Sequence, residues 1–371
     1  MQLEVQQRYA GGARETEEKL CCPVDYNPAL LELLPAEIIE KDYGCGDPSR
    51  YVREGDTVLD LGSGGGKICY MAAQLVGLNG HVIGIDMTDD MLALARKYQD
   101  EMADKLGGSR VTFYKGNIQD LALDVDAMEV YLAGHPVKSA ADLARLNQWQ
   151  RKQREDKPLI ADNSVDLVVS NCVLNLVSDE EKQPLIKEIF RVLKPGGRVA
   201  ISDIVSDQAV PLHLKQNSEL WSGCISGVFQ EQEFLRVFVD AGFFAVAYDQ
   251  WNTQPWQVVE GIEFRSVTLT AVKGDDGPCL DYGHAVIYKG PHSEVRDDDG
   301  HLFPRGERMA VCERTFDFLT KSGAYGRDFI GIEPARRGKA KTFCAPAGTR
   351  RPASETRGGT VSGGSSSGSC C

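Results

Sequence analysis

Between residues 57 and 206 the chain alternates two hydrophobic patterns. Short, nearly continuous apolar runs at 57–61, 81–86, 111–114, 165–170 and 198–202 predict buried strands. Between them, at 67–76, 89–106 and 180–193, apolar residues recur at helical spacing; Met91, Leu92, Leu94, Ala95 and Tyr98 mark one such face. Strand followed by helix, repeated, implies a parallel sheet with helices on both faces: an α/β, Rossmann-like fold. The rhythm breaks at 120–163, a polar insertion between the third and fourth strands with a surface helix expected at 140–155.

The flanks follow other rules. Residues 1–55 read as a partly helical lead-in containing Cys21-Cys22, an amphipathic run at 28–41 and the loop Tyr43-Gly44-Cys45-Gly46. The α/β core is expected over 56–205. A helical region spans 212–242, within a segment 206–262. Strands at 263–290 and 300–313 suggest a small β-rich module over 263–335, and the Gly-, Ser- and Arg-rich stretch 336–371, tipped by Cys370-Cys371, is expected to be a disordered basic tail.

Charge narrows the partners. With 41 basic and 54 acidic side chains the chain carries −13, which argues against a nucleic-acid backbone or an anionic membrane as the main partner. No stretch approaches the roughly 18 apolar residues of a membrane span, and the first residues lack the order of a secretory signal. A cytoplasmic location is the expectation. The eleven cysteines are the anomaly, since an odd number cannot all pair, and no Cys-x-x-Cys spacing is present. Core packing, soft-metal binding and redox chemistry remain open for them.

Asp60-Leu61-Gly62-Ser63-Gly64-Gly65-Gly66 follows the first strand and opens a helix, so its backbone can approach a ligand whose anionic end meets free N–H groups. A dinucleotide fingerprint would need glycine where Lys67 stands. The glycine spacing behind an acidic residue instead resembles motif I of class I S-adenosylmethionine (SAM) methyltransferases. That resemblance implies a cofactor site of Asp60, Gly62, Ser63, Gly64 and Gly66. It adds Asp86 for the ribose hydroxyls with Met87 beside it, Asn117 and Ile118 for the adenine, and Asn171. The turn Lys194-Pro195-Gly196-Gly197-Arg198 resembles the one these enzymes carry before the fifth strand.

The methyl acceptor is addressed by the thiols. Cys172, in Ser170-Asn171-Cys172-Val173, sits at the carboxyl end of the fourth strand, the edge that borders the ligand crevice in open α/β sheets. Cys45 lies between glycines, a context of mobility and close approach, and Cys224 lies in Trp221-Ser222-Gly223-Cys224-Ile225-Ser226-Gly227. Together with Gly84-Ile85-Asp86-Met87-Thr88, these segments resemble arsenite SAM methyltransferases over about residues 15–335. The resemblance implies that Cys45, Cys172 and Cys224 ligate As(III), that 206–262 is an arsenite-binding region, and that Cys21 or Cys22 serves as a redox cysteine. The implied substrate is arsenite or its thiol conjugates, and the implied reductant is glutathione or thioredoxin. Trivalent arsenic is thiophilic, which fits thiolate ligands on chemical grounds alone. Two alternatives stay open: a methyltransferase acting on carbon or oxygen of a small organic molecule, and a non-catalytic thiol-rich metal-binding protein. Cys69, Cys279 and Cys312 read as packing residues.

Overall fold

The computed structural model describes residues 2–14, 24–275, 277–321, 325, 327–334, 339–343 and 348–356. Two compact units divide the chain, Met1–Gly274 and Asp275–Cys371. The first is built on nine strands: β1 (Thr57–Leu61), β2 (His81–Asp86), β3 (Val111–Lys115), β4 (Val165–Asn171), β5 (Leu193–Ser206), β6 (Phe229–Gln230), β7 (Phe243–Trp251), β8 (Gln257–Val259) and β9 (Ile262–Lys273). Their order is β3-β2-β1-β4-β5-β9-β7, with β6 beside β5 and β8 beside β9. The first five run parallel, and β9 is antiparallel to both β5 and β7.

The apolar runs explain why these segments form the centre. Val58, Leu59, Leu61, Val82, Ile85, Leu167, Val168 and Val169 are all buried, as expected of strands covered on both faces. Strand order reverses between β1 and β4, which opens a crevice at their carboxyl ends. The parallel register places Asp60 and Asp86 near the ends of adjacent strands. The helix Lys67–Leu75 starts directly after Gly66, and its residues 67–73 are buried. The expected helix 89–106 is instead two, Asp89–Lys97 and Gln99–Leu106. They break at Tyr98, whose hydroxyl donates to Glu37, and both pieces keep their apolar residues in the core.

The insertion holds the expected helix Ala140–Asp156 and a second one, Val125–Gly134, whose apolar residues Val125, Ala127, Met128, Val130, Tyr131 and Leu132 follow no one-sided helical spacing. Neither buries a residue. Tyr131 stacks on Trp149 at 4.8 Å, and Arg154 ion-pairs with Asp120 at 2.8 Å, so the hairpin is held by its own side chains. The helical region 212–242 resolves into Leu212–Lys215, Ser218–Ser222 and Glu231–Asp240.

Two boundaries need correction. Residues 263–273 were expected in the C-terminal module, but they form β9, paired with β5 along its length from Arg198 to Ser206. The run reads as strand in either place; only the pairing assigns it, and the second unit starts at Asp275. That unit contains a three-stranded antiparallel sheet of Ala285–Tyr288, Arg308–Ala310 and Phe329–Ile332, and the helix Glu313–Lys321. Val286, Phe303, Met309, Phe316 and Leu319 form its core. Within the tail, the described residues 339–343 and 348–356 are not disordered. Lys341–Thr342 pairs with Leu280–Asp281, and Arg351 ion-pairs with Asp281 at 2.8 Å, so basic tail residues find acidic partners within the unit. Cys370 and Cys371 lie outside the described residues. Among the described residues no helix is long and apolar enough to cross a membrane.

Candidate active site

The turn after β1 has left-handed backbone at every second residue: Gly62 (φ 70°), Gly64 (φ 51°) and Gly66 (φ 88°). Such φ values favour glycine. Space is a second constraint at Gly62, where a Cβ would come within 2.5 Å of Val173. The turn is tied to β2, because the Gly64 N–H donates to an Asp86 carboxylate oxygen at 2.9 Å and the Thr88 N–H donates to the other at 2.8 Å. Burial pushes the Asp86 carboxyl up, against those bonds. Burial likewise raises Asp60 to about 7, and Cys69 donates to it at 3.2 Å.

Asp60, Gly62, Ser63, Gly64, Asp86, Met87, Ile118, Asn171 and Cys172 all border one cavity. Gly66 instead begins the following helix, and Asn117 lines a neighbouring groove. Ser63 Oγ is buried without a hydrogen-bond partner among the described residues. An unpaired hydroxyl, two buried carboxylates and a glycine turn make a polar cradle, which fits a ligand carrying a ribose and an amino-acid end.

Beside the cradle the three thiols converge. Cys45, Cys172 and Cys224 are 3%, 4% and 5% exposed and share one apolar cluster with Ile204, Ile225 and Phe264. The sulfurs of Cys45 and Cys172 and a carboxylate oxygen of Asp203 lie within 4.8 Å of one another. Cys224 Sγ donates to the Cys172 carbonyl at 3.4 Å. Both Cys172 (φ 61°) and Cys224 (φ 59°) have left-handed backbone, a strained conformation for residues with a Cβ. Cys172 lines the cavity, whereas Cys45 and Cys224 do not border it. Cys21 and Cys22 lie outside the described residues.

A methyltransferase-domain model matches residues 53–146 and 135–242, and a model described as a domain of unknown function (DUF8838) matches 275–361. An arsenite methyltransferase of Aquipseudomonas alcaligenes is 32% identical over 336 residues, covering 84% of this chain and 86% of the relative. The human arsenite methyltransferase is 32% identical over 313 residues, covering 81% and 73%. The chain belongs to the arsenite methyltransferase family. A crystal structure of an arsenic(III) SAM methyltransferase from Chlamydomonas reinhardtii aligns with a TM-score of 0.57 at 31% identity, covering 87% of this chain and all of that one.

In this member of the arsenite methyltransferase family, several supporting residues carried no legible sequence signal. Asn171, expected among the cofactor contacts, borders the cavity and its side chain also clamps the cysteine loop. Its Oδ1 accepts from the N–H groups of Cys45 (2.9 Å) and Gly46 (3.0 Å), and its Nδ2 donates to the Gly46 carbonyl at 2.8 Å. Gly44 and Gly46 permit that approach, since a Cβ at either would collide with Asn171 or Ser202 respectively. The loop is therefore held by hydrogen bonds at both Cys45 and Gly46. Ser266 Oγ adds a bond to the Cys45 carbonyl at 2.5 Å.

Tyr9, on the helix Gln2–Arg14, places its hydroxyl 3.7 Å from Cys224 Sγ, across 215 positions of sequence. Burial first, then the neighbouring thiols, pushes its phenol well up. Asp203 is fully buried, accepts from the backbone of Leu174 and Ile204 and from Asn175 Nδ2, and is raised to about 7 by burial. Lys67, where a dinucleotide site would have glycine, ion-pairs with Asp42 at 2.9 Å and lies over the Tyr26 ring, so it joins the cradle helix to the segment leading to Cys45.

Proposed function

We propose that this chain methylates trivalent arsenic held by the thiolates of Cys45, Cys172 and Cys224, with SAM as methyl donor. The observation that carries the reading is the gathering of three buried sulfurs, from residues 45, 172 and 224, against a polar cradle. Family membership supports the reaction class. Arsenite exchanges its three hydroxides for three thiolates, releasing three waters, and this is a non-redox step. Three sulfurs leave arsenic pyramidal with a lone pair at the apex. When bound, SAM supplies a methyl carbon open to attack by such a lone pair.

The protein's contribution is placement. Asp60, Ser63, Gly64 and Asp86 would hold the cofactor, while Asn171 fixes Cys45 and the apolar wall of Ile204, Ile225 and Phe264 keeps water from the arsenic. Orientation of two bound reactants is worth roughly 7–11 kcal/mol of a barrier. Methylation formally oxidises arsenic by two electrons. Two thiols can return them by forming one disulfide, which glutathione or thioredoxin then reduces; Cys21 and Cys22 belong to this part of the proposal. A cytoplasmic enzyme of arsenic detoxification follows from the same reading.

The test is direct. Purified protein is incubated with SAM, arsenite and glutathione, and arsenic species and S-adenosylhomocysteine are followed together. The reading expects methylated arsenic to accumulate in step with S-adenosylhomocysteine, and it is lost if arsenite stays inorganic.

A further inference from the structure

Among the described residues, Cys279 and Cys312 are thiols outside the catalytic cluster that the proposed reaction does not use. Cys279 and Cys312 lie 33 positions apart in the second unit and are both free. They line the same groove as neighbours, and partial burial followed by the nearby Cys312 pushes the Cys279 thiol up. Cys312 is buried at the start of the helix Glu313–Lys321, where the Thr315 N–H donates to its sulfur at 3.4 Å and the Thr315 hydroxyl lies 3.2 Å away. Cys279 is only half-buried, and the Phe343 N–H fixes its carbonyl at 2.9 Å.

Both cysteines border one groove of this unit, whose walls combine Phe303, Met309, Val311 and Phe343 with the charged or polar Asp299, His301 and Arg314. Ligand number decides what it suits. A structural zinc ion needs four donors, and among the described residues no third Cys, His, Asp or Glu joins these two in a ligating cluster. A pair of sulfurs beside the apolar part of the groove, Phe303, Met309 and Val311, instead matches a soft trivalent centre with two exchangeable positions and one carbon substituent.

We propose that Cys279 and Cys312 form a dithiol site for monoorganic trivalent arsenic, separate from the catalytic thiols. Methylarsonous acid would lose both hydroxides as water while two As–S bonds form from the two thiols. No electrons move, and the methyl group faces the apolar wall. The choice of arsenic as ligand rests on the function proposed above; the capture step itself needs neither SAM nor turnover.

Methylarsonous acid without SAM is the probe, applied to the reduced full-length chain. Native mass spectrometry counts bound arsenic, and iodoacetamide labelling followed by peptide mapping reports each thiol. Cys279 and Cys312 should both lose their labelling in the presence of the probe. Cys279→Ser, Cys312→Ser and the double variant should each bind one arsenical fewer than the wild type, with no further loss in the double. An unchanged count in Cys279→Ser, or equal labelling of Cys279 with and without the probe, overturns the proposal. Labelling of the wild type needs no variant to fold. Arsenite methylation by Cys279→Ser, measured in parallel, separates failure of this site from failure of the catalytic reading.

Discussion

The cofactor cradle and the thiol cluster sit side by side but are assembled in opposite ways. The cradle is local: residues 60–66 form one turn, anchored to β2 through the bond from Gly64 to Asp86. The cluster is built from distance. It draws on Cys45, Cys172 and Cys224, is braced by Asn171, Asp203 and Tyr9, and its longest bond, from Ser266 to Cys45, spans 221 positions. A site made from one turn fails when that turn is altered. A site gathered from many segments fails when any of its braces slackens, so it is sensitive to residues that touch no substrate.

The most severe separation of the two regions comes from Cys172→Ser. Arsenite methylation should fall by at least about 100-fold, the scale of a lost positioning contact, while SAM affinity measured by calorimetry stays near the wild-type value. The mirror experiment is Asp86→Ala. It should weaken SAM binding roughly ten- to a hundredfold, as expected for charged hydrogen bonds, yet leave stoichiometric arsenite binding intact.

Asn171→Ala tests where the boundary runs. If its side chain serves the cysteine loop, arsenite affinity should drop roughly tenfold or more, as for other residues that orient ligands, with SAM affinity nearly unchanged. Loss of SAM affinity comparable to Asp86→Ala would return Asn171 to the cradle.

The smallest effect concerns pH. Asp60 is raised from 3.8 to about 7 by burial, so the folded state holds its proton more tightly than the unfolded chain. Its favourable contribution is complete below about pH 4 and is lost as pH rises through 7. Relative to Asp60→Asn, the wild-type melting temperature should therefore decline between pH 4 and 7, and a flat difference would reject a buried, proton-holding Asp60.

The same contrast explains what the sequence disclosed. Thr57–Leu61 and His81–Asp86 coincide with the expected strands because their apolar runs are buried on both faces. The glycine turn was legible because its spacing is local. The three cysteines stood out through residue type and glycine neighbours, but their common location depends on the fold. Asp203 and Tyr9 gave no signal, since an aspartate following the apolar run 198–202 and a tyrosine in a polar helix are ordinary until packing brings them to a thiol. Residues 263–273 were misassigned for a related reason: hydrophobic pattern identifies a strand but not its neighbour. Asn171 lines the cavity as the family resemblance implies, but its bonds to the Cys45 loop were invisible in one dimension.

The left-handed cysteines set robustness against reactivity. Glycine at position 172 or 224 would relax a conformation that costs about 1–3 kcal/mol in residues bearing a side chain, but it would delete a sulfur from the cluster. Screens that select only for heat resistance should therefore drift toward inert versions at these two positions, and any programme to harden this catalyst must score turnover at every round.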